Sequence, residues 1–461
     1  MSVALHWFRR DFRLTDNTAL NAALAAHEQV VPVYILSDWK RRHGWTGPPR
    51  QEFLCGCLSA LDGEIRSKGG HLIIRQGSAD LELEKLVRET GATAIYYNRD
   101  PDPFGREMEG CIGKMAERLG IEVHACKDIA LQERDEVLTG AGLPFRVFTP
   151  YSRAWHLLDK RPPGPSVSRI ATPAGIDSLT LPTLATWELT SDAEIIAPGE
   201  PAARKRLDRL LEKIAGEYAD YRDFPASEST SRISQDLRHG LLSIREIYAR
   251  LLELAPTVDA QRRRGIEKFV SELIWREFYL QVLWFNPNVL EQEYQVETRT
   301  LKWRNSPEQF ERWTAGMTGF PIVDAGMRQL KASGYVHNRV RMIVAMFLTK
   351  DLHLSWREGE RYFMKRLVDA EIASNNGGWQ WSASTGTDAA PYFRIQNPWT
   401  QARRFDPDGA YIRRWLPELR DISTARLFMP PAAGERLASS YPLPMLDHHI
   451  ERDAALEMFR R

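Results

Sequence analysis

Four short apolar runs, Val3 to Phe8, Val30 to Leu36, His71 to Ile74 and Ala94 to Tyr97, are each followed by a stretch compatible with a helix. Runs of this length, bounded by polar segments and alternating with helices, predict strands of a parallel sheet buried on both faces. The first strand leads into Arg9-Arg10-Asp11-Phe12-Arg13-Leu14, which has neither the glycine fingerprint of a dinucleotide site nor a phosphate-cradling loop. Residues 1–130 are therefore expected to form an α/β, Rossmann-like domain without a standard nucleotide motif.

The pattern then changes twice. Seven prolines between Arg161 and Pro201, with little periodicity, predict a surface connection, and residues 131–201 are read as an interdomain connector. From residue 202 to 461 the apolar positions follow helical spacing. Leu207, Leu210, Leu211, Ile214 and Tyr218 fall on one helical face, and Val270, Ile274, Phe278 and Val282 step by four along another helix. No convincing alternation of strand type follows residue 200, so this second domain should be all-α.

Composition adds limits. A chain of 461 residues exceeds one compact core, and 43% hydrophobic with 27% charged residues is ordinary for a soluble protein. No apolar run approaches bilayer length, so no membrane partner is expected. The N-terminus enters a strand pattern without a secretory signal, which predicts a cytoplasmic location. Cys55, Cys57, Cys111 and Cys126 lack metal-ligand spacing and read as free thiols, so no metal is expected. A net charge of +1 leaves a nucleic-acid partner open, because a local basic patch decides that. Of 14 tryptophans, nine lie at or after Trp275, which directs the search for chemistry to the C-terminal part.

There, Asn375-Asn376-Gly377-Gly378-Trp379-Gln380-Trp381 combines carboxamides, glycines and indoles, a mixture suited to a flat, nitrogen-rich ring. Taken alone, its Gly-Gly-Trp step reads as a turn. Glu272, Trp275 and Arg276 are three and four residues apart and share a helical face distinct from the Val270 stripe. Asn338 and Met342 repeat the i, i+4 spacing and offer an amide and a thioether, while His337 reads as a satisfied helix histidine. The hydroxyls of Ser227 to Ser234 around Arg232 suit a phosphate, although such clusters more commonly form caps and turns.

In order along the chain, Trp7 to Leu14, Thr230-Ser231-Arg232-Ile233-Ser234, Glu272 to Tyr279, His337-Asn338-Arg339 and Asn375 to Trp381 resemble the DNA photolyase and cryptochrome family across essentially its whole length. The nearest branch is that of class I cyclobutane pyrimidine dimer photolyases. The resemblance implies an N-terminal antenna domain and a helical domain holding FAD, active as FADH-. It implies that UV-damaged DNA containing pyrimidine dimers is the substrate, and that light-driven electron transfer repairs it. Glu272, Trp275, Asn338, Met342 and Trp381 would face the lesion, and Asn375 the flavin N5. Tyr218, Thr230, Ser231, Arg232, Ile233 and Ser234 would hold phosphates and ribose, with Arg341, Asp369 and Glu371 beside the ring. Trp379, Trp356 and Trp303 match the family's electron relay, and Arg222, Arg276, Arg339 and Gln401 its DNA-facing positions.

Departures qualify the match. Phe104-Gly105 replaces the Asn-Glu pair of folate-binding members and Trp45 replaces a histidine, which argues against methenyltetrahydrofolate. Arg50, Asp100, Asp102 and Arg106 favour an 8-hydroxydeazaflavin type of antenna, with FMN or an empty site open. Glu371 stands where many relatives have aspartate, and Phe269 where some have tryptophan. The alternative function is a cryptochrome-type blue-light sensor without repair. Against it, plant cryptochromes usually carry an acid at the position of Asn375; the six-four branch usually places histidines where this chain has Asn338 and Met342, which argues against a proton-transfer repair mechanism. A monomer is expected.

Overall fold

The structure is a computed structural model that describes residues 2–37 and 45–460. Contacts divide the chain into two compact units. The first comprises Met1–Ser191, Ile196–Gly216 and Ser231–Pro287, and the second Asp192–Ile195, Glu217–Thr230 and Asn288–Arg461.

The first unit contains a five-stranded parallel sheet of order β3-β2-β1-β4-β5, with β1 (Val3–Phe8), β2 (Gln29–Leu36), β3 (Ile73–Gln76), β4 (Ala94–Asn98) and β5 (Glu122–Cys126). The near-continuous apolar runs of β1, β2 and β4 are buried along almost their entire length, as strands covered on both faces must be. Leu5, Val31, Val33, Ile73, Ile95, Leu83, Leu86 and Ile112 close one side of this core. The pattern did not predict β5. Its sequence, Glu-Val-His-Ala-Cys, pairs with β4 at the edge of the sheet and stays partly exposed, so it carries no apolar run.

Helices α1 (Thr18–Ala26), α2 (Pro48–Ser67), α3 (Ala79–Thr90) and α4 (Pro103–Leu119) connect the strands, and α5 (Phe148–Leu157) follows them. The stretch from Asp100 to Arg106 is irregular only to Asp102. Pro103 opens α4, a position where the missing N–H is no loss. After α5 the proline-rich segment forms only a 3-10 turn, Leu184–Trp187, before α6 (Glu200–Arg209). A π-turn, Leu210–Ile214, joins α6 to α7 (Ala215–Tyr221), so the helix expected around Leu207 to Tyr218 is continuous. The remaining helices of this unit are α8 (Ser234–His239), α9 (Ile244–Leu254) and α10 (Ala260–Phe285). Val270, Ile274, Phe278 and Val282 are all buried on α10, as the four-residue step required.

The second unit is helical: α11 (Pro307–Ala315), α12 (Pro321–Ser333), α13 (Asn338–Met346), α14 (Trp356–Arg366), α15 (Ile372–Ala383), α16 (Pro398–Phe405), α17 (Ala410–Trp415), α18 (Thr424–Leu427) and α19 (His448–Phe459). Its extended pairing among the described residues is the isolated bridge between Arg304 and Leu354. Helix α15 packs against both α13 and α14. Gly377 and Gly378 lie inside α15, not in a turn. A mid-helix glycine costs roughly 0.5–1 kcal/mol relative to alanine. Here burial of Ile372, Ala373, Trp379 and Ala383 and side-chain anchors to the Val289 carbonyl outweigh that cost.

Candidate active site

In the second unit the sequence motif becomes a set of side chains held by α13, α14 and α15. The amide nitrogen of Asn375 donates to the Glu360 carbonyl at 3.1 Å, which uses one of its two N–H groups and orients the amide with Oδ1 as the acceptor. Asn376 donates to the Glu360 carboxyl at 2.9 Å and to the Val289 carbonyl at 3.0 Å, fixing the helix end-on. Burial lifts the Glu360 pKa to about 7, opposed by its hydrogen bond from Asn376. Sequence reasoning missed Glu360, although a signal existed. It lies four residues after Trp356 on the apolar face of α14, with Gly359, Phe363 and Met364.

A Cβ on Gly378 would meet nothing within 4 Å, so backbone here is open to close approach. Arg341 donates to Asp369 at 2.8 Å and to the Val336 carbonyl at 2.8 Å, and its pairing with Asp369 offsets the cost of its burial. Glu371 is buried at the N-cap of α15, and Trp381 is half-buried on the same helix. An amide oxygen left to accept, open backbone and a half-buried ion pair fit a planar ring with polar edges.

The three tryptophans expected as a relay all lie in this unit. Trp379 and Trp356 are buried, and Trp303 is half-buried. Gly359 sits three residues after Trp356, and a Cβ there would fall 2.1 Å from the Trp379 ring, so α14 and α15 meet on that indole. Arg304, next to Trp303, donates its N–H to the His353 carbonyl at 2.7 Å and bridges to Leu354. The chain thus lays residue 303 alongside the segment that leads into Trp356.

His337 caps α13 through Nδ1, which accepts from the Arg339 N–H at 3.1 Å. Its buried Nε2 has no hydrogen-bond partner among the described residues, so the ring is only half satisfied, and burial lowers its pKa to about 4. Asn338 is exposed and Met342 half-buried on the same helix. Arg339 is held by Asp223 at 2.9 Å, lies 4.4 Å from the Phe405 ring and reaches the Met342 sulfur at 3.6 Å. No local pattern pointed to the Asp223 contact, which lies 116 residues away. Arg222 stacks over Tyr218 at 5.2 Å, and Gln401 is half-buried on α16. Thr230 ends a segment of this unit.

In the first unit, Glu272, Trp275 and Arg276 are half-buried on one face of α10, opposite its buried stripe. Trp275 stacks on Phe148 with centroids 3.7 Å apart and planes 5° from parallel, so one indole face is covered. Phe148 was also absent from the sequence reading. Arg276 donates to the Ile129 carbonyl at 2.9 Å. Glu277 anchors the helix: it accepts from the Leu131 N–H at 2.5 Å, the Gln132 N–H at 3.1 Å and the Trp155 Nε1–H at 2.6 Å. Ser231 is half-buried, Ile233 is buried, and Ser234 opens α8. Arg232 has φ +53°, a left-handed value uncommon for a side-chain-bearing residue and frequent at ligand clamps.

At the carboxyl end of the sheet, Arg10 bridges Asp100 at 3.1 Å and Asp102 at 3.2 Å. Burial lowers the Arg50 pKa to about 9 despite attraction from Asp102, and its guanidinium donates to the Trp45 carbonyl. Trp45 meets Phe104 edge-on at 5.9 Å. Arg106 goes elsewhere, over Trp284 at 4.2 Å.

The family model described as DNA photolyase matches residues 4–167, and that described as the FAD binding domain of DNA photolyase matches residues 269–461. A deoxyribodipyrimidine photo-lyase of Halobacterium salinarum is 38% identical over 99% of this chain and 98% of its own. A class III photolyase structure from Agrobacterium tumefaciens has a TM-score of 0.93 at 36% identity, covering 100% of this chain and 97% of its own. A cryptochrome structure from Synechocystis has a TM-score of 0.91 at 27% identity, covering 99% of both chains.

Proposed function

We propose that this chain, which belongs to the DNA photolyase family, is a deoxyribodipyrimidine photo-lyase that repairs cyclobutane pyrimidine dimers in DNA under blue light. The observation that carries this reading over a sensor is Asn375. With its amide nitrogen turned to the Glu360 carbonyl, it presents a neutral acceptor where plant cryptochromes usually carry an acid. Such an oxygen suits an N–H on a reduced ring. FAD, when bound, supplies the light-excited electron donor, and the added electron lets the cyclobutane ring fragment before it is returned, so no net redox change occurs.

The chain's own residues do the rest. Asn375, Arg341, Asp369 and Glu371 hold the ring, and Tyr218 with Thr230 to Ser234 hold phosphates and ribose. Glu272 hydrogen-bonds the lesion, and stabilising the negative charge that develops there requires its carboxyl O–H as the donor. Trp275 and Trp381 supply apolar walls, the former by the face turned away from Phe148, while Asn338 and Met342 also face the lesion. Photolyases as a class take their target out of the base stack; extrusion of a dimer costs less than that of normal bases because it stacks and pairs badly. Arg222, Arg276, Arg339 and Gln401 contact the DNA backbone. Trp303, Trp356 and Trp379 carry electrons inward. The family resemblance of Arg50, Asp100, Asp102 and Arg106 favours a deazaflavin-type antenna, with Arg106 turned to Trp284 and the other three gathered at the end of the sheet. We take the protein as a cytoplasmic monomer.

The test is repair of a dimer-containing thymine oligonucleotide by photoreduced protein, with recovery of thymine absorbance compared in blue light and darkness. Light-dependent recovery is expected. Absence of recovery with fully reduced FAD present would overturn the reading in favour of a sensor.

A further inference from the structure

The geometry points to Glu293 as the positioning and charge-setting residue of the tryptophan relay: its carboxylate holds the Trp356 indole N–H and makes this tryptophan easier to oxidise. The inference rests on the relay reading given above. Trp356 is fully buried, and its Nε1–H donates to Glu293 Oε1 at 3.1 Å. Glu293 is itself buried, and its second oxygen accepts from Arg357 at 3.1 Å. Its backbone carbonyl takes the Arg299 Nε–H at 3.0 Å, so the residue is fixed at both ends. Trp379, by comparison, is packed by the rings of Phe363 at 5.1 Å and Trp313 at 6.1 Å.

An indole that loses an electron becomes a cation and a much stronger N–H acid, so its energy depends on the nearest charge. Two charges compete here. The carboxylate is in direct hydrogen-bond contact with Nε1, whereas the Arg357 guanidinium carbon stands 5.2 Å from the ring. Arg357 is also wetter, with 34% of its side chain exposed against 6% for Glu293. Water screens the guanidinium more than the carboxylate, and buried charge acts through a lower dielectric. The carboxylate therefore dominates. In the step concerned, one electron leaves Trp356 for the oxidised indole of Trp379, whose own electron has gone to photoexcited oxidised flavin. Trp303 replaces it and is refilled by an external thiol. The Nε1 proton stays in the hydrogen bond throughout.

Glu293→Gln keeps an oxygen acceptor but removes the charge. In full-length protein carrying oxidised FAD, it should lower the yield of thiol-dependent photoreduction roughly tenfold, equivalent to about 1.4 kcal/mol. Glu293→Asp should restore part of it. Flash absorption should show a slower rise of the surface tryptophan radical. A readout independent of light is the indole N–H resonance of Trp356, assigned by its loss in Trp356→Phe, which should move upfield in Glu293→Gln. Wild-type yield in Glu293→Gln, with photoreduction abolished in Trp356→Phe, overturns the role of Glu293 alone. Wild-type yield in Trp356→Phe overturns the relay reading and this inference together. If Glu293→Gln does not retain FAD, Arg357→Gln, which keeps the carboxylate and removes its partner charge, tests the same role with the opposite sign: a higher yield is expected, and an unchanged yield overturns it.

Discussion

Glu360 carries a proton over a pH range in which most carboxylates do not, because burial raises its pKa from the usual 4.5 to about 7. Between those values the folded state binds more protons than the unfolded chain, so this group's contribution is full below pH 4.5 and is lost as pH rises through 7. Glu360→Gln should remove that slope and gain up to ~3 kcal/mol relative to wild type at pH 8, by the usual 1.36 kcal/mol per unit. Urea unfolding of both proteins at pH 5 and pH 8 checks this, and an equal difference at both pH values would contradict it. At the same scale, Trp275→Ala should weaken binding of dimer-containing DNA by roughly 1–3 kcal/mol, as loss of a base-stacking aromatic does, while FAD remains bound. Fluorescence anisotropy with damaged and undamaged oligonucleotides gives the comparison. The identities of Trp275 and Asn375 were legible as motif positions. That Phe148 covers one face of the first and that Glu360 orients the amide of the second was not, because these partners lie 127 and 15 residues away.

Helix α15 shows what periodicity cannot decide. Gly377-Gly378 reads locally as a turn, yet packing against α13 and α14 keeps the segment helical. Gly359 on α14 is part of the same contact, since its lack of a Cβ makes room for Trp379. Gly359→Ala should therefore displace that indole and cost ~1–3 kcal/mol, the usual penalty for overpacking a close contact. The expected signature is a lower unfolding midpoint together with slower photoreduction. A midpoint at or above the wild-type value would show that the helices can separate without loss. In contrast, α10 was legible from Val270 to Val282, because both its buried stripe and its half-exposed face follow the same 3.6-residue period. Strand β5 was missed for the opposite reason: an edge strand buries too little to need an apolar run.

For the molecule as a whole, net charge is silent on DNA, and binding must come from placed arginines. If Arg222 contacts a phosphate, log affinity should fall linearly with log salt, and Arg222→Ala should reduce the slope by about 1. A slope unchanged within error would remove Arg222 from the interface. The sequence by itself determined the α/β and helical character of the two parts and the family membership. These follow from local periodicity and from side-chain identity, which are properties of the chain. Only the tertiary structure decided that Trp356 shares a carboxylate with Arg357, that Arg339 is held by Asp223, and that Arg10 spans Asp100 and Asp102. Such pairings set charge, orientation and proton affinity, and they arise from segments distant in sequence whose approach is fixed by packing, not by any local pattern.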